Sequence, residues 1–123
     1  MILVVDDSNL LRERLVNLLS EVAGGEVIGQ ARNADEALEL IQSVNPRVVI
    51  LDIQMPGVNG IEALKAIKQR SNPPGVIMLT NHPQQEYREK CLALGADYFL
   101  DKTRDLDKLT GICKSLIEQY SNG

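Results

Sequence analysis

Short continuous apolar runs alternate along this chain with stretches of helical period. The runs are Ile2 to Val5, Val27 to Ala31, Val48 to Ile53, Val76 to Leu79 and Tyr98 to Leu100. Most lack the polar alternation of a half-exposed strand, so they read as strands covered on both faces. The second run, with Gly29 and Gln30, is the most polar, and an edge position is expected for it. Between the runs, Leu11, Leu15, Leu18, Leu19 and Val22 fall on one helical stripe. So do Ala34, Ala37, Leu38 and Ile41, then Ile61, Leu64 and Ile67, and finally Leu106, Leu109, Cys113, Leu116, Ile117 and Tyr120. A fourth helix is expected over roughly Gln84 to Leu94. It is the least apolar of the five and should dock most weakly. Five strand–helix repeats predict an α/β fold, a doubly wound parallel sheet with helices on both faces.

The length of 123 residues fits one domain, with no linker, repeat or low-complexity tract inside it. One Phe, three Tyr and no Trp leave the core aliphatic and provide few stacking platforms for flat ligands or unpaired bases. The formal charge is −4, and Lys and Arg are scattered singly among acids. No basic stripe is visible, so direct nucleic-acid binding by this domain is not expected. Cys91 and Cys113 have neither CxxC spacing nor clustered His around them, which argues against a zinc site or a disulfide framework. The opening apolar run is too short to span a membrane, and acids follow it at once without a basic leader region. A cytoplasmic location without membrane contact is the expectation.

The residues that end the strands carry the chemistry. The first run terminates in Asp6 and Asp7, the third contains Asp52, the fourth is followed by Thr80 and the fifth by Lys102. Ligands of open α/β sheets bind at the carboxyl ends of the strands, so these five residues should converge on one edge. Taken singly, each has a plain structural reading. Asp6-Asp7-Ser8 would cap the first helix, Thr80 would end a strand, and Lys102 would be a surface lysine. Asp52 is harder to explain away, because an unpaired charge inside an apolar run is costly to bury. Together the carboxylates repel one another unless a cation joins them, and a hard divalent ion such as Mg²⁺ suits oxygen ligands. Asp52 could then act as a nucleophile that forms an acyl phosphate, while Lys102 and Thr80 contact phosphoryl oxygens.

With these residues in place, the sequence resembles the receiver domains of two-component response regulators. The resemblance rests on Val-Val-Asp-Asp-Ser at 4–8, Leu-Asp-Ile-Gln-Met-Pro-Gly-Val-Asn-Gly at 51–60, Thr80, Gly95-Ala96 and Lys102, and it covers essentially the whole chain. It implies a chemotaxis-regulator-like, flavodoxin-like fold with five parallel strands in the order 2-1-3-4-5. It further implies that Asp52 is the phosphoacceptor. Asp7, Asp52 and the Gln54 backbone carbonyl would be direct Mg²⁺ ligands, with Asp6 assisting through water. Thr80 and Lys102 match the phosphoryl-sensing pair, and Phe99 falls at the switch-aromatic position, whose ring rotates inward when the threonine moves towards the phosphoryl group. The donor would be a sensor histidine kinase or a histidine phosphotransfer protein. The listener would be a protein bound at the face made by the fourth helix, fifth strand and fifth helix. Such a domain catalyses only its own phosphorylation and dephosphorylation.

Several positions depart from the family pattern. Phe99 stands where Tyr is frequent, and Thr103 follows Lys102 where Pro is common. A non-proline cis bond costs roughly 3 kcal/mol, which leaves the Lys102–Thr103 bond either trans or cis under strain. Asn81 replaces a small residue. Gln54, Asn81 and His82 occupy positions that tune phosphoryl loss, and Asn81 and Gln54 are expected to slow hydrolysis by crowding the attacking water. Three other readings compete. A true aspartyl phosphatase is disfavoured because such enzymes place a second acid two residues after the nucleophile, where Gln54 cannot protonate a leaving group. A flavodoxin-like electron carrier is disfavoured because two acids, not hydroxyls and glycines, follow the first strand. A phosphorylation-independent pseudo-receiver is disfavoured because the acids, Thr80 and Lys102 are all present. Residues 1–123 read as one receiver unit with no output domain, either standing alone or cut from a longer regulator.

Overall fold

The computed structural model describes residues 1–20, 28–55, 57, 59–81 and 83–120. Val22, Val27 and His82, singled out above, lie outside these residues. The strands are β1 (Ile2–Val5), β2 (Ile28–Ala31), β3 (Val48–Leu51), β4 (Gly75–Thr80) and β5 (Tyr98–Asp101). The helices are α1 (Asn9–Ser20), α2 (Ala34–Val44), α3 (Gly60–Lys68), α4 (Gln85–Ala93) and α5 (Leu109–Tyr120), the last preceded by a 3-10 turn at Leu106–Lys108. The strands pair in parallel in the order β2-β1-β3-β4-β5. The polar second strand is therefore an edge, as its composition predicts.

Alternation along each strand splits the core into two layers. Leu3, Val5, Val49, Leu51, Val76, Met78 and Phe99 pack with residues of α2, α3 and α4. Ile2, Val4, Val48, Ile50, Ile77, Leu79 and Leu100 pack with residues of α1 and α5. β1, β3 and β4 are buried throughout, which explains why their sequences read as unbroken apolar runs.

Local chemistry sets the helix ends. The Asn33 side chain accepts a hydrogen bond from Glu36 N at the start of α2, and Asn59 accepts from Ile61 N and Glu62 N at the start of α3. No side-chain bond caps α4, and it fully buries only Cys91, in keeping with the weak docking its composition predicts. Below β4 and β5, Asp97 accepts from Val76 N (2.8 Å), Tyr120 Oη (2.9 Å) and Lys68 Nζ (3.1 Å), pinning the end of α5 to the sheet. Burial, reinforced by the Asp97 carboxylate, pushes the Tyr120 hydroxyl up to about 12. Gly75 leaves room for that ring, since a Cβ there would lie 2.9 Å from Tyr120 Cε2.

Several boundaries differ from the sequence expectation: β4 runs from Gly75 and includes Thr80, expected to follow it, and β5 extends to Asp101. β3 stops at Leu51, so Asp52 lies just past the strand rather than inside it. The last stripe begins as a 3-10 turn, and regular α-helix starts only at Leu109.

Candidate functional site

The sheet's carboxyl edge places three of the polar residues by the same device. Asp6 N donates to Ala31 O (3.1 Å), Asp52 N to Val5 O (3.1 Å) and Lys102 N to Thr80 O (2.9 Å). Each of the three residues thus continues the parallel ladder one step beyond its strand, with a fixed backbone. Asp6, Asp7, Ser8, Asp52, Gln54, Asn81 and Lys102 line a cleft of about 480 Å³ at that edge. Thr80 is fully buried and is not among the residues that line it. Phe99 lies elsewhere, its ring inside the α2–α3–α4 layer with the residue only 4% exposed. The Lys102–Thr103 bond is trans, as are all peptide bonds among the described residues.

Ser8 does cap α1: its hydroxyl accepts from Leu11 N (3.2 Å), while Asp6 Oδ1 accepts from Ser8 N (2.9 Å). The cap and the acidic site are therefore one structure, and the two readings of Asp6-Asp7-Ser8 do not compete. The other oxygen of Asp6 receives Lys102 Nζ at 2.6 Å, and the same ammonium stands 3.1 Å from Asp52 Oδ2. One lysine thus holds two almost fully buried carboxylates, while Asp7 remains exposed.

Burial drives the Asp52 carboxyl above its ordinary range. The charge of Asp6 adds to this, while Lys102 and the Gln54 N–H oppose it without prevailing. Burial alone would depress the Lys102 ammonium, but its contacts with Asp6 and Asp52 outweigh that and raise it. A carboxyl with a raised folded pKa holds its proton more tightly when folded, so stability falls as pH rises through that pKa. In a metal chelator at neutral pH, Asp52→Asn is therefore expected to be more stable than the wild type, by about 1 kcal/mol. The gain should fade as pH falls from neutral through the raised Asp52 pKa and be all but gone at the ordinary carboxylate value of 3.8, where Asp52 is protonated in the folded state. Urea unfolding across that range measures it, and an Asp52→Asn variant less stable than the wild type at neutral pH would contradict the electrostatic account.

Carboxylate oxygens of Asp6, Asp7 and Asp52 come within 4.8 Å of one another. An oxygen-only donor set with one exposed acid facing a solvent-filled cleft fits a hard divalent cation that keeps some of its waters. A buried carboxylate, a neighbouring ammonium and room for such an ion thus stand together at the carboxyl edge of a doubly wound parallel sheet.

Comparison with known proteins gives the family. The profile described as "Response regulator receiver domain" matches residues 2–114, and the chain belongs to that family. It is 35% identical, over 88% of its own length and 46% of the relative's, to the transcriptional regulatory protein DegU of Brevibacillus brevis. It is 42% identical to a protein-glutamate methylesterase/protein-glutamine glutaminase of Desulfotalea psychrophila, over 97% of its length and 35% of the relative's. The chain thus spans between about a third and a half of these curated relatives. Among solved structures it superposes on the receiver domain of NtrX from Brucella abortus with a TM-score of 0.85 and 32% identity, covering 96% of this chain and 98% of that one. The Francisella response regulator 1452 receiver domain gives a TM-score of 0.87 at 28% identity, with 96% of each chain covered. The protein is accordingly a phosphoacceptor receiver domain of the two-component type, a class that binds Mg²⁺ at an acidic pocket and works with a kinase or phosphotransfer partner. No described helix is long and apolar enough to cross a membrane.

Two residues that support the site are given no role by the sequence: Arg12 is not singled out, and Gly60 enters only as the last residue of the 51–60 motif. Arg12 donates to the Asp6 carbonyl (2.6 Å) and to Gln30 Oε1 (3.2 Å), and it also bonds Asn9, so it braces the loop that carries both acids. Gly60 donates its N–H to Ile53 O at 2.6 Å, and a Cβ there would lie 1.9 Å from the Asp52 carbonyl oxygen. Arg12 lies one turn into α1, a spacing at which a cation could have been suspected of reaching back to the strand end.

Proposed function

We propose that Asp52 is the residue of this chain that accepts the phosphoryl group. The supporting observation is the Lys102 ammonium lodged between the Asp6 and Asp52 carboxylates at the floor of the cleft. An Asp52 carboxylate oxygen attacks the phosphorus of a phosphohistidine, the P–N bond breaks, and the imidazole leaves with its electron pair. Lys102 then turns from its carboxylate partners to the new phosphoryl oxygens, and the Thr80 hydroxyl donates to another of them. Asp7, Asp52 and the Gln54 carbonyl would hold Mg²⁺, with Asp6 acting through water; the ion supplies charge neutralisation for the incoming phosphoryl group. Water returns the aspartate in a second, slower step. The chain turns over no substrate beyond its own phosphate.

Gln54, Asn81 and His82 tune that return. Gln54 and Asn81 both line the cleft and are exposed there, in a position to crowd attacking water. The donor is a sensor histidine kinase or histidine phosphotransfer protein. Output passes through Phe99 to a protein bound on the α4–β5–α5 face, in the cytoplasm, without direct nucleic-acid contact by this domain. The test is incubation with Mg²⁺ and a small acyl phosphate, followed by intact mass measurement. The wild type should gain the mass of one phosphoryl group, and chelator or Asp52→Asn should abolish the gain. Equal labelling of the Asp52→Asn variant would overturn the assignment, and no labelling of the wild type would favour a pure binding module.

A further inference from the structure

α4 is the helix with the least to hold it. Its only fully buried residue is Cys91, and no side chain caps its N-terminus. Tyr87 and Leu94 are partly buried against the same core layer. Against this sparse apolar contact stands one two-part polar contact. Arg88 Nη1 donates to the Phe99 carbonyl at 3.2 Å, and the same guanidinium lies 5.9 Å from the centroid of the Phe99 ring. One side chain of α4 thus grips both backbone and ring of a single β5 residue. The ring it covers is buried in the layer shared with α2, α3 and α4. Pro83, Gln85, Arg88, Phe99 and Arg104 also border a small cavity of about 320 Å³ at this junction, so open space adjoins the residue that the guanidinium covers.

We propose that Arg88 is a positioning residue: a clamp that holds the Phe99 ring in its buried position and α4 against β5. A cation over an aromatic face at an exposed site contributes about 0.5–1 kcal/mol, which corresponds to a two- to fivefold change in a conformational ratio. The hydrogen bond to the Phe99 carbonyl acts in the same direction, because it sets the distance between helix and strand. Losing the clamp shifts the ring towards the cavity and frees the first turns of α4. The consequence for phosphoryl binding rests on the reading of Asp52 given above. If the buried-ring state is the one that accepts the phosphoryl group, depleting it weakens phosphoryl-analogue binding by the same factor.

Phe99 is the only phenylalanine in the chain, so 4-fluorophenylalanine gives a single fluorine signal from this ring. Fluorine NMR of the metal-free protein, with its H₂O/D₂O shift, reports the ring's exposure directly. Three proteins are compared: wild type, Arg88→Met, which keeps the aliphatic stem, and Arg88→Lys, which keeps the cation but loses the planar donors. We expect a small solvent shift in the wild type, a larger one with movement towards the free amino acid's position in Arg88→Met, and an intermediate value in Arg88→Lys. Beryllofluoride with Mg²⁺ should restore the wild-type position in both variants, at an apparent Kd raised two- to fivefold in Arg88→Met. Spectra are taken well below each variant's unfolding midpoint, so a merely structural loss of stability would leave them unmoved. Should Arg88→Met not fold, Arg88→Lys alone decides. An unchanged fluorine position and solvent shift in every folded variant would overturn the clamp. Because the wild-type ring is already buried, binding of beryllofluoride by the wild type is read from the amide signals around Asp52. Absence of any Mg²⁺-dependent amide change there would overturn the Asp52 reading instead, leaving the metal-free fluorine spectra to judge Arg88.

Discussion

Lys102→Met is expected to lower stability by roughly 2 kcal/mol at neutral pH and to slow phosphorylation about a hundredfold. The ammonium is within 3.1 Å of Asp52 and 2.6 Å of Asp6, and both acids are almost fully buried. Removing it leaves two like charges facing each other in a partly dry site. Breaking a fully buried pair costs more than this, but the cleft admits water and softens the penalty. The pH dependence follows from the sign of the Asp52 shift. Lys102 is an influence that lowers the Asp52 pKa, so its loss lets burial and Asp6 raise that pKa further. The variant's deficit should therefore be small where Asp52 is protonated and grow as pH rises through the raised pKa. Mg²⁺ should bind the variant more tightly than the wild type, because a competing cation has gone. Urea unfolding against pH and a Mg²⁺ titration by NMR measure the two effects. Looser Mg²⁺ binding in the variant would show that Lys102 shapes the metal site rather than competing for it.

Gly60→Ala should cost about 3 kcal/mol, at the upper end of what overpacking does, because backbone and not a flexible side chain stands in the way. The added Cβ would lie 1.9 Å from the Asp52 carbonyl oxygen and 2.7 Å from the Ile53 Cα. Relief requires α3 to move off the segment that carries Asp52, breaking the 2.6 Å bond from Gly60 N to Ile53 O. Function should suffer with stability. At a temperature where the variant is still folded, its phosphorylation rate is expected to fall at least tenfold, since an ångström of misplacement at a reacting group is costly. Differential scanning calorimetry and labelling by a small acyl phosphate provide the two measurements. An alanine variant as stable as the wild type would mean that α3 docks less rigidly than the geometry requires.

Much of this architecture was legible in the sequence because parallel strands covered on both faces leave continuous apolar runs. Ile2–Val5 matched its strand to the residue, and the Gly29-Gln30 strand proved to be an edge. Strand ends were harder. Ile53 extends the apolar run past Asp52 and is itself buried, so hydrophobicity alone could not show that β3 stops at Leu51. The acids and Lys102 were found because charge at the end of a buried run is conspicuous. Thr80 was tied to the site by its position after the fourth run; it is the last residue of β4 and fully buried, next in sequence to Asn81, which lines the cleft. Arg12 and Arg88 were invisible for the opposite reason. Both lie on helix surfaces where a cation is ordinary, and their importance comes from reaching backbone carbonyls of the sheet, at Asp6 just past β1 and at Phe99 in β5.

The central claim is that a phosphoryl group resides on Asp52. Borohydride reduction of the protein labelled in Mg²⁺ by a small acyl phosphate converts an aspartyl phosphate to homoserine, which peptide mass mapping places in the sequence. Homoserine is expected at position 52 alone, and none when label or Mg²⁺ is withheld. Homoserine at Asp6 or Asp7 with Asp52 intact, or none at all, would contradict the claim.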